Sequence, residues 1–139
     1  MDIEELRRRA EAGSCSAQTI LGISYLYGYD VAADYREAFR LLSAAGTSRA
    51  VLNRGIMHAK GLGVTQNLPE AIRLLEAVAG PPESSDAFAA RIELGRLYSS
   101  GSDSNNALRW YEAAVALATE EEDSEDLREA RAYIAQTRP

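Results

Sequence analysis

Leu21-Gly22-Ile23-Ser24-Tyr25-Leu26-Tyr27-Gly28, followed by Val31, Asp34, Glu37-Ala38 and Ala44-Ala45, decides how this chain folds, because it occurs three times. The second copy is Arg54-Gly55-Ile56-Met57-His58-Ala59-Lys60-Gly61, then Val64, Asn67 and Glu70-Ala71. The third is Leu94-Gly95-Arg96-Leu97-Tyr98-Ser99-Ser100-Gly101, then Asp103, Asn106-Ala107 and Ala113-Ala114. Gly22, Gly55 and Gly95 stand 33 and 40 residues apart, and so do Gly28, Gly61 and Gly101. Ala17, Ala50 and Ala90 each precede the first glycine by five residues, and Asp34, Asn67 and Asp103 each precede Ala38, Ala71 and Ala107 by four. Small residues at fixed points in a unit of this length predict antiparallel helix pairs, packed closely and stacked side by side. The expected role of the small residues is to let two helix backbones approach at their crossing.

Each unit reads as two helices. From Ser14 or Ser16, good N-cap types, a helix runs to Tyr27 and stops at Gly28, with Cys15 in the short turn before it. Asp34 then caps a helix whose apolar positions are Ala38, Leu41, Leu42 and Ala45, closed by Gly46. Unit two repeats this from Ala50 to Gly61 and from the Asn67 cap through Leu74, Leu75 and Val78, with Gly80-Pro81-Pro82 as the stop. In unit three Ala90, Leu94 and Tyr98 share a face, Gly101 is the stop, and Asp103 caps a helix carrying Trp110, Tyr111 and Ala114. Ahead of these lies a short helix with Ile3, Leu6 and Ala10 on one stripe. Behind them, Glu120 to Asp126 places six acids in seven positions before Leu127, Ala130, Tyr133 and Ile134. Those acids suit a helix N-terminus.

The expected organisation is therefore one all-α domain over 1–139. Residues 1–13 form an N-terminal cap helix, 14–46, 47–80 and 83–119 form three repeats, and 120–139 form an acidic turn and C-terminal cap helix. Composition agrees: Ala, Leu, Glu and Arg dominate, and only four prolines occur in 139 residues. The net charge is −6, unevenly spread. Residues 116–139 hold seven acids and three basic residues, a net of −4, and the rest of the chain is nearly balanced. Nucleic acid is not an expected partner, since phosphate binding needs a dense cationic face. No apolar run approaches the ~20 residues of a membrane span. The start, Met-Asp-Ile-Glu-Glu-Leu-Arg, shows no apolar core of a secretory leader. Cys15 is the single cysteine, which fits a reducing compartment. A cytoplasmic monomer is the expectation.

The pattern Leu-Gly-x-x-Tyr-x-x-Gly, then Val, Asp, Ala and Ala-Ala, resembles the Sel-one-like repeat, a relative of the tetratricopeptide repeat. Residues 10–115 carry the likeness. The resemblance implies a right-handed α-α superhelical solenoid of three antiparallel helix pairs with short capping helices at both ends. It also implies a non-catalytic role in binding or scaffolding other proteins.

Nothing in the chain points to chemistry. One histidine and one cysteine cannot make a metal site of ordinary spacing, Gly61-Leu62-Gly63 lacks the rest of a dinucleotide loop, and no Gly-x-Ser-x-Gly elbow is present. No cofactor and no metal are expected. The oddity is unit two, where Arg54 and His58 replace Leu21/Leu94 and Tyr25/Tyr98. They share one helix face. Either they meet acids of neighbouring helices, such as Glu76 or Glu93, or they form a polar pocket that takes a partner.

In tetratricopeptide-like superhelices the first helix of each unit lines the inner curve. That places Thr19, Ile23, Leu26 and Tyr27, then Leu52, Ile56, Ala59 and Lys60, then Ile92, Arg96, Ser99 and Ser100 on the binding face, unless the aliphatic members are buried against the next unit. The expected partner-binding residues are Thr19, Ile23, Tyr27, Arg54, Ile56, His58, Lys60, Arg96 and Ser99. Their mix suits a protein or peptide held on the concave face. The alternative is an inhibitor or immunity protein that occludes a basic bacterial toxin.

Overall fold

The computed structural model describes residues 2–119 and 121–138, and within them every regular element is a helix. These are α1 (Ile3–Glu11), α2 (Cys15–Tyr27), α3 (Tyr35–Ala45), α4 (Ser48–Lys60), α5 (Leu68–Ala79), α6 (Ala87–Ser100), α7 (Ser104–Val115) and α8 (Glu125–Thr137). The residues form two compact units, 1–74 and 75–139, with the boundary inside α5.

Local chemistry sets the helix starts. Asp2, Ser14, Asp34, Thr47, Asp103 and Ser124 each accept a hydrogen bond from the amide three residues on, which satisfies an otherwise orphaned donor. Asn67 does the same for Glu70. Ser14 is thus the cap of α2, and Cys15 belongs to the helix rather than to a turn. Gly28, Gly46 and Gly61 end their helices in the left-handed conformation. Of the acidic run, residues 121–123 precede the Ser124 cap, Glu125 and Asp126 lie in the first turn of α8, and Glu120 lies outside the described residues.

The repeats share a closure that no residue type announces. The amide of each second-helix cap donates to a first-helix carbonyl at the same register: Asp34 to Tyr25, Asn67 to His58 and Asp103 to Tyr98, all at 2.9 Å. In the third repeat the loop is four residues shorter, yet the same bond forms. The backbone achieves this by moving the left-handed residue from the glycine to its successor. Gly101 has φ −84°, and Ser102 takes φ +63°.

In the first unit α1 packs on α2, α2 on α3, and α3 on α4. Leu6, Ala10, Ala17, Leu21 and Leu41 form one core, and Leu26, Ala38, Leu42, Ala45, Ala50 and Met57 form the next. In the second unit α6 packs on α7 and both touch α8, around Ile92, Tyr111, Ala114 and Ala130. There Arg91 reaches two helix ends, its Nε donating to the Ala79 carbonyl at 2.9 Å and its Nη1 to the Ala113 carbonyl at 2.7 Å. Those carbonyls lie where α5 and α7 end, and a cation is favoured there.

The first-register glycines act differently from the expectation of bare backbone contact. A Cβ on Gly22 would lie 2.8 Å from Cγ and Cδ2 of Leu42, and one on Gly95 would lie 2.8 Å from the Tyr111 ring. Each glycine is a notch that seats a buried side chain of the partner helix. Gly22→Ala is therefore expected to lower stability by about 1–3 kcal/mol, the usual cost of overpacking, even though alanine favours helix. Adding Leu42→Val should recover part of that loss, as urea denaturation of the single and double variants will show.

Candidate functional site

The residues expected on the binding face divide into three groups. Thr19 and Ile56 are buried, as are Leu26, Leu52 and Ile92, so they serve packing between helices. The Thr19 hydroxyl donates to the Cys15 carbonyl and pairs with Thr47 Oγ1 at 2.8 Å, which ties α2 to the start of α4. Ile23 is half-buried against the second core cluster. Lys60 is exposed and Ser99 half-buried. Tyr27 is 50% exposed and its ring stacks on Tyr29 at 5.6 Å between centroids, with its hydroxyl 3.4 Å from Asn53 Oδ1. Tyr29 belongs to the same surface, and it escaped the sequence reading because it lies one residue beyond the repeat's closing glycine.

Arg96 does not present a free cation. Its Nε donates to Glu129 Oε2 and its Nη2 to Glu129 Oε1, both at 2.9 Å; Nη2 also reaches Asp126 Oδ1 at 2.7 Å and Nη1 reaches Glu93 Oε1 at 2.9 Å. The Tyr111 hydroxyl donates to Glu129 Oε2 at 2.9 Å. This network fastens α8 over α6 and α7. Arg96 and then Tyr111 hold the Glu129 carboxyl below the usual carboxylate range, against the opposing effect of burial. Burial and the Glu129 acceptor push the Tyr111 hydroxyl up, and Glu129 with Asp126 raise the guanidinium. The acids of the C-terminal stretch are thus partly spent on an internal contact.

Arg54 and His58 turn toward the second helices, away from the tyrosines. The Arg54 guanidinium carbon lies 5.8 Å from the centre of the Phe39 ring, and His58 packs edge-on against the same ring at 5.6 Å. Glu70 is close enough for both to lower its carboxyl pKa, after the larger effect of its hydrogen bond to Arg73. Arg54 Nε and His58 Nδ1 are sealed from solvent with no hydrogen-bond partner. The first repeat solves the same place otherwise. There a cleft of about 190 Å³ between α1 and α3 has Leu21 and Tyr25 on its floor. Arg7 of α1 reaches the Tyr25 hydroxyl at 3.1 Å. Arg7 lies five residues after the Asp2 cap, as Phe39 lies five after Asp34. Cation and aromatic have changed places between the two helices.

The Sel1 repeat family model matches residues 15–47, 48–79 and 89–118. The chain belongs to the Sel1 repeat family. Sel1 repeats serve in general as protein–protein interaction modules. Two solved structures share the fold. One is a Sel1 repeat protein from Oxalobacter formigenes, 23% identical over 90% of this chain and 49% of that one, with a TM-score of 0.66. The other is c5321, a protective antigen of uropathogenic Escherichia coli displaying an SLR fold, 23% identical over 98% of this chain and 33% of that one, with a TM-score of 0.67. The chain spans about half and a third of those lengths. A comparison with curated proteins finds no match. Among the described residues no group of His, Cys, Asp and Glu is placed to hold a metal ion, and no helix is long and apolar enough to cross a membrane.

Two outcomes follow from the ion and ring contacts. Glu129→Gln is expected to loosen α8 and lower stability by about 1 kcal/mol after solvent screening. Because the folded carboxyl has the lower pKa, its contribution is present above the unfolded value near pH 4.3 and is lost as pH falls through the folded value. Protection factors of the α8 amides should therefore fall in acid in the wild type and be less acid-sensitive in the variant. Arg54→Leu restores the residue of the other two repeats and removes a buried unpartnered donor. It is expected to raise stability by about 1 kcal/mol, measured by urea denaturation.

Proposed function

We propose that this chain is a non-catalytic adaptor that binds one protein or peptide partner through surface carried by the first helices of its repeats. The family's general role supports the class of function. The observation that carries the location is the stacked pair Tyr27 and Tyr29, exposed by 50% and 58% in the first unit. Tyrosine brings large contact area with little rotamer entropy to lose, and is enriched at interfaces for that reason. Lys60 on α4 and Ile23 on α2 add a charge and an aliphatic surface within the same unit. Arg96, held by three carboxylates, is left out of the contact set.

The acidic stretch 116–139 supports a narrower version in which the partner is basic and is held inactive. An exposed, unpaired Cys15 suits a reducing compartment such as the cytoplasm. The test is affinity purification of the tagged chain from its native source beside Tyr27→Ala/Tyr29→Ala and Lys60→Glu variants. The wild type should retain a stoichiometric protein, and the double tyrosine variant should retain at least about tenfold less, the loss of two interface aromatics, with an unchanged circular dichroism spectrum. Equal retention by the double variant overturns the proposed surface.

A further inference from the structure

The place where the second repeat departs from its neighbours is a formed polar site that the tyrosine surface does not use. Three observations define it. Arg54 and His58 converge on one ring, 5.8 and 5.6 Å from the Phe39 centroid. Each has a ring or guanidine nitrogen sealed from water and lacking any hydrogen bond. Glu70, the acid beside them, is already held by two bonds from Arg73, Nε to Oε2 at 2.9 Å and Nη2 to Oε1 at 2.5 Å.

A half-buried guanidinium normally finds a carboxylate, because its donors lose water and must be repaid by another acceptor. Here the apolar floor of the register, Leu21 and Tyr25 in the first repeat, has been replaced by a guanidinium and an imidazole, and neither Arg54 Nε nor His58 Nδ1 finds a partner within the unit. The Phe39 ring beside the guanidinium attracts its charge but is no acceptor for its in-plane hydrogens. A planar fork beside an imidazole matches a carboxylate, which accepts two parallel bonds. The charge of Glu70 selects between anions: it leaves a net attraction for a single negative charge and opposes a dianion. We infer that the Phe39–Arg54–His58 cluster is a binding site for one carboxylate, supplied by an aspartate or glutamate side chain of a protein partner.

The probe is N-acetylglutamate α-amide, followed by the Arg54 Nε–Hε and His58 ring NMR signals of the full chain at low salt. Its glutamine counterpart and inorganic phosphate serve as comparisons. Saturable shifts of both residues are expected in the millimolar range of a single charge-assisted contact. The glutamine analogue should bind at least about tenfold more weakly, a difference of ~1.4 kcal/mol. Phosphate should bind more weakly than the carboxylate. In Arg54→Leu, which restores the repeat's own residue and so folds, the His58 shifts should vanish; in His58→Gln they should weaken at Arg54. Tyr27→Ala/Tyr29→Ala should leave the titration unchanged, so failure of the tyrosine surface and failure of this site are separable. Shifts that do not saturate, that are matched by the glutamine analogue, that are stronger with phosphate, or that persist at His58 in Arg54→Leu overturn the assignment.

Discussion

The first-register glycine is the constraint on which the first and third helix pairs depend. A side chain of the second helix sits where a Cβ would be: Leu42 against Gly22, and the Tyr111 ring against Gly95. Leu42 is wholly buried and Tyr111 nearly so. Beside these notches the capping amide closes the loop on a first-helix carbonyl, and the same bond recurs in all three repeats. The pairing is tight because both contacts are short-range and steric. A single methyl at the notch displaces the seated group, as close-packed interiors have few voids to absorb it.

Once that frame is set, the remaining positions can vary, and the variation carries the individual character of the chain. The surface between successive second helices shows this within the first unit. In repeat one an arginine from α1 meets a tyrosine of α2. In repeat two a phenylalanine from α3 meets an arginine and a histidine of α4. The aromatic–cation pairing survives the exchange of sides, but the balance of hydrogen bonds does not. The tyrosine hydroxyl accepts from its arginine, whereas a phenylalanine ring accepts nothing in the guanidinium plane. The exchange therefore leaves Arg54 Nε and His58 Nδ1 of repeat two without partners.

In the second unit charge is used for attachment. Arg96 stands where the repeat pattern puts a surface side chain, yet Glu93, Asp126 and Glu129 gather around it and Tyr111 joins through Glu129. Tyr111 is at once the residue that fills the Gly95 notch and a donor in this network, so the helix pair and α8 are coupled through one side chain. Opposite charges at partial exposure contribute modestly one at a time. Their concentration on one guanidinium, with a buried hydroxyl beside them, makes α8 an integral layer of its unit.

Much of this was legible in the chain itself. The threefold spacing, the Ser, Asp and Asn caps and the closing glycines predicted every helix and most of its ends, because these signals are local: a cap or a left-handed turn involves residues three or four apart. Shared backbone ties were hidden, since every residue has an amide and a carbonyl, and so was the transfer of positive φ from Gly101 to Ser102. The odd pair Arg54 and His58 stood out by register, but its neighbours did not; Phe39 and Glu70 reach it from helices that the sequence places 15 residues before and 16 after Arg54. Periodicity and turn chemistry, which act between near neighbours in the chain, are enough to specify a set of Sel1 helix pairs. Which side chains are buried, paired or left without a partner emerges only on folding, because that depends on which helices press on one another across the repeat.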